Sequence, residues 1–346
     1  MLLGDLPGDR HARAAAFDPP RQHMEVESRA ARRGRRRLRD VPARALRRRG
    51  APGWFAPSAV LVLVLLLVVS ISPATPPRSG NNGLAAGRLA DYNFGEGYDL
   101  IGADGGVFNF GNAGFYGSEA GQPLNAAMVG MATTSDQAGY WLVGGDGGIF
   151  NFGDAGFYGS EAGQPLNKPM CGMAATSNNG GYWLVAQDGG LWNFGNAGFY
   201  GSEGGTQLNA PIVGIARTPD NGGYWMVGAD GGIFPFGDAG YYGSLPGSGI
   251  SPNKPVVAIV ATPDGGGYWI IAGDGGVWNY GDAGYWGSMG STALNAPVVG
   301  AAASADGGGY WLVASDGAAF AFGDAYFLGS KSGQSLNAAM VGMAGG

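Results

Sequence analysis

Aspartate is the residue type in this sequence that is best placed to do chemistry, because it recurs at one position of a repeated motif. The motif is an Asp-Gly turn, and its carboxylates belong to Asp104, Asp146, Asp188, Asp230, Asp274 and Asp316. If the fold gathers them on one face, they form an acidic ring that attracts cations or a basic partner. The alternative is that each aspartate only satisfies the backbone of its own turn.

A second polar set lies in the longest loop of each repeat, such as residues 160–167. Loops on a rigid scaffold are common places for binding, and carboxylate and amide groups can hydrogen-bond sugar hydroxyls. Solvated loop residues, with asparagine capping the turn, are the alternative. The ligand-binding candidates are Glu119, Gln122, Asn125, Glu161, Gln164, Asn167, Glu203, Gln207 and Asn209.

Histidine and cysteine are nearly absent. His11 and His23 lie in the first 50 residues, and Cys171 is the one cysteine. The main body therefore has no residues for Ser-His-Asp catalysis, a His-ligated metal or a disulfide. We predict no catalytic residue, no metal site and no cofactor.

A single active site also needs residues that occur once. The ionisable groups that break the repeat are few, chiefly Asp99, Arg217 and the lysines. The sequence therefore predicts a non-enzymatic protein, expected to be a monomer; together with the export signal and the resemblance described below, the expected partners are cell-wall polysaccharide or another exported protein. Two alternatives stay open: a glycosidase or lyase that uses carboxylates, and a structural spacer at the cell surface.

Composition and charge divide the chain. Glycine makes up 69 of 346 residues, but 12% of the residues are aromatic and 45% hydrophobic, which excludes collagen and argues against simple disorder. Residues 1–50 carry 14 Arg and 6 acidic residues, a charge of +8, and the remainder carries −14. The acidic main body argues against nucleic acid as a partner.

The basic head precedes an apolar run at residues 59–69. We predict a disordered cytosolic leader at 1–53, a helical signal-peptide core or membrane anchor at 54–74 and a polar linker at 75–96. The positive flank places the main body outside the plasma membrane, either extracellular or anchored by one span. Cleavage after Ala74 and a start at Met1 or Met24 stay open, as do a buried helix at 59–71 and a nucleic-acid-binding arm at 29–49.

From residue 97 the chain consists of six copies of one unit, with Gly-Tyr pairs starting at residues 97, 139, 181, 223, 267 and 309. In the second copy, apolar runs at 129–133, 140–143, 149–152 and 156–159 predict four short strands, separated by turn residues. Tyr140 and Trp141 point to opposite faces, and both are apolar, so each sheet must be covered on both sides.

These features predict an all-β fold, a six-bladed β-propeller over residues 97–346 with four-stranded blades of about 42 residues. The first copy lacks a first strand, and the chain ends with a spare one at 339–344, which would close the ring. An open solenoid is the structural alternative, and a seventh, degenerate blade from 84–96 stays open. The strand aromatics, including Phe157 and Tyr158, are expected in the core.

The segment at 181–202, GYWLVAQDGGLWNFGNAGFYGS, resembles a repeat of exported proteins from high-GC Gram-positive bacteria. The resemblance covers residues 97–346 and implies export and a propeller-like architecture, without a particular activity. The Asp-Gly-Gly-aromatic turns are more loosely similar to the Asp-box hairpins of sialidase-like propellers. Sialidases bind the substrate carboxylate with several arginines, whereas Arg217 is the only arginine of the six copies.

Overall fold

The protein is described by a computed structural model that covers residues 96–345. The predictions for the basic leader, for residues 54–74 and for the linker up to residue 95 lie outside the described residues. So does the greater part of the predicted degenerate blade at 84–96.

Within residues 96–345, eighteen strands form six sheets, each with three antiparallel strands. The first strands of the sheets are β3 (Met128–Thr133), β6 (Met170–Ala175), β9 (Ile212–Arg217), β12 (Val256–Ala261), β15 (Val298–Ala303) and β18 (Met340–Gly345). The middle strands are β1 (Gly97–Gly102), β4 (Gly139–Gly144), β7 (Gly181–Ala186), β10 (Gly223–Gly228), β13 (Gly267–Ala272) and β16 (Gly309–Ala314). The third strands are β2 (Val107–Gly111), β5 (Ile149–Gly153), β8 (Leu191–Gly195), β11 (Ile233–Gly237), β14 (Val277–Gly281) and β17 (Ala319–Gly323). One short 3₁₀ helix occupies Pro246–Ser248.

The six sheets close into a ring. Each first strand lies against the first strand of the next sheet, and β18 contacts both β15 and β3. β18 also pairs with β1, with Tyr98 opposite Gly345 and Leu100 opposite Met343. The predicted pairing of the spare C-terminal strand with the first repeat is confirmed, and the ring of sheets is the architecture of a β-propeller rather than of an open solenoid.

Burial of the middle strands explains why the sheets stack. All six middle strands are buried at every position. Trp141 of one sheet packs against Tyr182 of the next, with ring centroids 5.9 Å apart, and Trp311 packs on Tyr98 at 5.5 Å across the point of closure. The prediction that each sheet is covered on both faces is therefore confirmed, because the apolar side chains of each face pack against a neighbouring sheet.

The prediction of four strands per sheet is wrong, because the fourth apolar run of each repeat joins no sheet. In the second repeat this run is residues 156–159, for which the structure shows no strand. Its backbone is bonded by a side chain instead: Tyr158 N donates to the hydroxyl of Tyr182 at 3.2 Å, and that hydroxyl donates to Gly159 O at 2.6 Å. Gly159 has a φ of 138°, which a continuing strand would not adopt.

Two residues that depart from the repeat are accommodated without a change of fold. Pro235 lies in β11, a third strand at the free edge of its sheet, where a missing N–H costs no ladder hydrogen bond. Cys171 occupies an irregular position in β6, where the register shifts between Met170 and Gly172. Burial raises the pKa of its thiol to about 12. A thiol with so high a pKa is a poor nucleophile at neutral pH.

Candidate functional site

The turn aspartates are all used in the same way. Each turn joins a middle strand to a third strand, and one carboxylate oxygen accepts a hydrogen bond from the backbone N–H two residues later. In the second repeat, Gly148 N donates to Asp146 Oδ1 at 3.0 Å. The same bond is made by Asp104, Asp188, Asp230, Asp274 and Asp316, at 2.9 to 3.1 Å. These carboxylates hold their own turns, on the edge of the ring where the second and third strands connect.

The loop candidates lie beside these turns. Glu119 N donates to Gly105 O, and Glu161 N donates to Gly147 O, both at 3.0 Å, so each loop rests on the turn of its own repeat. The structure thus brings the loop glutamate and the turn aspartate of one repeat to the same face. Glu119, Glu161 and Glu203 are half-buried, and the other loop candidates are exposed, namely Gln122, Asn125, Gln164, Asn167, Gln207 and Asn209.

The third loop differs from the first two. Gln122 and Gln164 donate their backbone N–H to the glutamate carbonyl of the same loop, but Thr206 makes this bond in the third copy. Gln207 follows one residue later and takes the place of Pro123 and Pro165. The three loops are therefore not identical, and the candidate glutamines do not occupy one equivalent position.

Exposed aromatic side chains were missed in the sequence analysis. Phe157 is 58% exposed and Tyr158 38% exposed, so their predicted burial is wrong, whereas Tyr140 and Trp141 are fully buried as predicted. Every repeat has an exposed aromatic pair in its fourth apolar run. We call this set the aromatic belt: Phe115, Tyr116, Phe157, Tyr158, Phe199, Tyr200, Tyr241, Tyr242, Tyr285, Trp286, Tyr326 and Phe327.

Hydrogen bonds hold the second aromatic of the pair in the first four repeats. The hydroxyl of Tyr158 donates to Asn179 O at 2.6 Å, which ties the second aromatic of the pair to the next repeat. Tyr116, Tyr200 and Tyr242 make the equivalent bond at 2.7 to 2.8 Å. The first aromatic of the pair is the more exposed in the first five repeats, from 56% to 61%, and in the sixth repeat Tyr326 is 59% and Phe327 61% exposed. Each of the six repeats therefore presents at least one aromatic side chain that is more than half exposed to solvent.

A second group of acidic side chains lies in the turns between first and middle strands, on the opposite edge of the sheets. Asp264 Oδ1 accepts hydrogen bonds from Gly266 N and from the hydroxyl of Thr262, and these bonds lower the pKa of Asp264. The same hydroxyl contacts Asp282 at 3.3 Å. The equivalent turn acids Asp136, Asp220 and Asp306 also have lowered pKa values. These carboxylates are again explained by turn structure.

The first strands enclose a central channel. One mouth has a cavity of about 650 Å³, lined mainly by alanine, serine and threonine, with Arg217 at its rim. The Arg217 guanidinium donates to Thr218 O at 3.1 Å and Pro219 O at 3.2 Å, and burial lowers its pKa. The single arginine of the repeats therefore lies folded back on its own loop at the channel mouth.

Asp99 is the buried ionisable residue of the first repeat. It stands where the other five repeats have tryptophan, it is 4% exposed, and Asn109 Nδ2 donates to Asp99 Oδ1 at 3.2 Å. Burial raises the pKa of Asp99 to about 7, and the hydrogen bond from Asn109 opposes that rise. The first repeat thus packs differently from the other five.

Within residues 96–345, no three side chains of His, Cys, Asp or Glu lie close enough to share a metal ion. No helix among these residues is both long and apolar enough to span a bilayer.

Comparison with known proteins gives a fold-level similarity. No family model matches the chain, and no curated protein sequence matches it. Among solved structures, the chain is similar to the β-propeller domain of Cps50 (Swd1) from Myceliophteria thermophila, with 9% identity and a TM-score of 0.42. The alignment covers 68% of this chain and 83% of that chain. The ring of six sheets therefore remains the basis on which the fold is described as a propeller.

Proposed function

We propose that this protein is an exported, non-enzymatic β-propeller that binds cell-wall polysaccharide, and that residues 97–346 form a complete ring of six blades. The aromatic belt is the observation that supports the proposal best. Twelve exposed aromatic side chains are more than a soluble surface normally displays, and large exposed apolar surfaces commonly mark binding sites.

The chemistry of the belt suits a sugar polymer. A pyranose ring has apolar C–H faces that stack on an aromatic ring, and hydroxyl groups at its edge that need polar neighbours. Tyr158 offers both, because its ring is partly exposed and its hydroxyl is fixed on a backbone carbonyl. Six exposed aromatic pairs, one per repeat, match a ligand made of identical repeating units, and many weak contacts then add up through multivalency.

The charge of the main body supports a neutral or cationic ligand surface over an anionic one. Residues 51–346 carry six basic and 20 acidic residues, so anionic lipid or nucleic acid would be repelled. The loop set, with Glu161, Gln164 and Asn167 as its second member, is an alternative polysaccharide surface on a different part of the ring. An exported protein remains the alternative partner for either surface.

Binding to isolated bacterial cell walls tests this function. We expect the purified protein to co-sediment saturably with walls that retain their polysaccharides, and soluble glycan to compete. Replacing Phe115, Phe157 and Phe199 together by alanine should weaken binding at least tenfold, because each lost stacking contact contributes about 0.5–1.5 kcal/mol. Circular dichroism should show that the triple variant keeps its fold, because these side chains are mostly exposed.

A matched variant distinguishes the two surfaces. The triple substitution Glu161→Ala, Gln164→Ala and Asn167→Ala changes exposed or half-buried polar residues and leaves the belt intact. It should bind walls like the unchanged protein. Loss of binding in this variant alone would move the site to the loop, and failure of the unchanged protein to bind any wall preparation would leave a protein partner or the spacer role.

Enzymatic cleavage of glycan is the alternative from a different class. Such an enzyme needs two carboxylates that act as a pair, and the turn acids recur in nearly every repeat with the same bonds. Release of reducing ends from isolated walls, abolished by one aspartate substitution but not by the equivalent one in another repeat, would favour the enzyme.

Export rests on the resemblance and on the apolar run at residues 59–69. We expect the mature protein outside the plasma membrane, either released after cleavage near Ala74 or anchored by residues 54–74. N-terminal sequencing of the protein recovered from the medium and from the membrane fraction separates these two cases. Recovery of the protein only from the cytosol would contradict export.

A further inference from the structure

We propose that the first repeat contains a binding site for one small monovalent cation, at the position where the other repeats hold an indole ring. The site is a small cavity lined by Asp99, Ala113, Gly114, Thr133 and Gln137, together with backbone of neighbouring strands. It adjoins the aromatic belt, because Gln137 O accepts a hydrogen bond from Tyr116, but it does not depend on polysaccharide binding.

The other repeats show what the first one lacks. Trp141 Nε1 donates to Gly156 O at 2.6 Å, and the tryptophans of the four following repeats make the same kind of bond at 2.6 Å. Asp99 takes the tryptophan position in the first repeat, where Gly114 corresponds to Gly156. A carboxylate has no N–H to donate, and within the described residues Gly114 O accepts no hydrogen bond.

The carbonyl of Ala113 also lacks the side-chain donor that its counterpart Ala155 has in the second repeat. Asn151 Nδ2 donates to Ala155 O at 2.8 Å in the second repeat, and the third and fifth repeats have the equivalent bond. In the first repeat, Asn109 turns to Asp99 instead. Ala113 O, which corresponds to Ala155 O, therefore accepts no hydrogen bond from any described residue.

The residues that line this cavity can thus supply three kinds of oxygen ligand: the Asp99 carboxylate, the carbonyls of Ala113 and Gly114, and the Thr133 hydroxyl. No lysine or arginine is among the lining residues. Oxygen atoms of this kind are the ligands of hard cations, and a single buried carboxylate is neutralised by one positive charge. The cavity has room for about one water-sized particle, the size of a sodium, potassium or ammonium ion.

A cation bound beside Asp99 would offset the free-energy cost of burying this carboxylate. A buried carboxylate without a counter-charge is costly, and burial raises the pKa of Asp99 to about 7. A cation in the cavity would favour the ionised form and would stabilise the folded protein, because the unfolded chain has no such cavity.

Thermal unfolding at pH 8 in different chloride salts tests the site. At one ionic strength, we expect potassium, sodium or ammonium to raise the Tm saturably by several degrees relative to tetramethylammonium, which is too large for the cavity. The three small ions tested separately show which one is preferred. Asp99→Asn keeps the shape of the site and removes its charge, so its Tm should not distinguish the ions.

Two further variants complete the experiment. Asp99→Trp restores the side chain of the other repeats, so its Tm should also not depend on the ion. If Asp99→Trp does not fold, Asp99→Asn alone decides the result. Asp154→Asn, which removes an exposed carboxylate of the second repeat, should keep the ion dependence of the unchanged protein. A small-ion effect that persists in Asp99→Asn would overturn the proposal.

Direct detection provides the second measurement. Crystals soaked in thallium(I), a heavy analogue of potassium, should show an anomalous peak between Asp99 and the carbonyls of Ala113 and Gly114. Absence of that peak at a concentration that saturates the Tm effect would overturn the proposed location. A peak that is retained in Asp99→Asn crystals would overturn the role of the carboxylate.

Discussion

At the scale of the residue, one substitution in a repeated position changes the local chemistry. Five repeats bury an indole whose N–H is bonded to a backbone carbonyl, and the first repeat buries Asp99 there. The sequence alone reveals this difference, because the repeats align. It does not reveal that Asn109 changes partner as well, since that depends on the geometry of the strand pair in which the two residues face each other.

Asp99 makes the stability of the protein depend on pH. Its folded pKa is about 7 and its reference value is 3.8, so the folded state holds a proton that the unfolded state has released between these values. The contribution of the protonated Asp99 carboxyl to the stability of the folded protein is fully present below pH 4. It is lost as the pH rises through 7. In tetramethylammonium buffer, this loss should reach at most about 4 kcal/mol.

Urea unfolding of the unchanged protein and of Asp99→Asn measures this effect. The difference between the two free energies of unfolding isolates Asp99 from acids such as Asp264, whose lowered pKa acts in the opposite direction. We expect the difference to vary between pH 4 and pH 8 and to be constant above that range. A constant difference over the whole range would show that Asp99 is ionised in the folded state at acid pH.

At the scale of the element, three of the four predicted strands per repeat are confirmed. Asp-Gly turns and apolar runs on both faces marked them, and the middle strands are buried as that pattern requires. The fourth run, with Phe157 and Tyr158, has the same composition as a buried strand. Its exposure could not be predicted, because a tyrosine hydroxyl of the next repeat, rather than a neighbouring strand, bonds its backbone.

The tyrosine of the middle strand should therefore hold the connecting segment in place. Tyr182→Phe removes the hydroxyl that bonds Tyr158 N and Gly159 O and leaves both groups without that partner. We expect a loss of about 1–3 kcal/mol in the free energy of unfolding, measured in urea. Hydrogen exchange at the amide of Tyr158 should become faster.

Tyr200→Phe is the matched control for this variant. Its hydroxyl also bonds a backbone carbonyl, Asn221 O, but the side chain is 39% exposed and water can replace the bond. The loss should stay below about 0.5 kcal/mol. Equal losses in the two variants would mean that the buried hydroxyl does not hold the segment.

At the scale of the whole molecule, the ring is closed by parts of the chain that are far apart in sequence. β18 pairs with β1, and the hydroxyl of Tyr98 donates to Gly329 O at 2.5 Å. The missing first strand of repeat one and the surplus strand after repeat six made this closure predictable. The channel that closure creates, with Arg217 at one mouth, could not be predicted, because which side chains meet there depends on the packing of all six first strands.

Removal of the closing strand tests the ring. Deleting residues 339–346 leaves β1 without its first-strand partner and exposes the flanking strands β15 and β3. We expect self-association through the open edges, seen by size-exclusion chromatography, and a broad thermal transition. A monomeric variant that unfolds as sharply as the unchanged protein would show that the ring does not depend on closure.

The ring closes within the first sheet, and this has a consequence for how the number of repeats can change. The junction combines the end of the chain with its first repeat in one three-stranded sheet, so gain or loss of a whole repeat by recombination leaves that junction intact. Sheet-to-sheet packing, such as Trp183 on Tyr224 with centroids 5.7 Å apart, would then set how many copies fit around the axis. The pairing of β18 with β1 does not itself fix the number of repeats between them, so we expect inter-sheet geometry to determine the size of the ring.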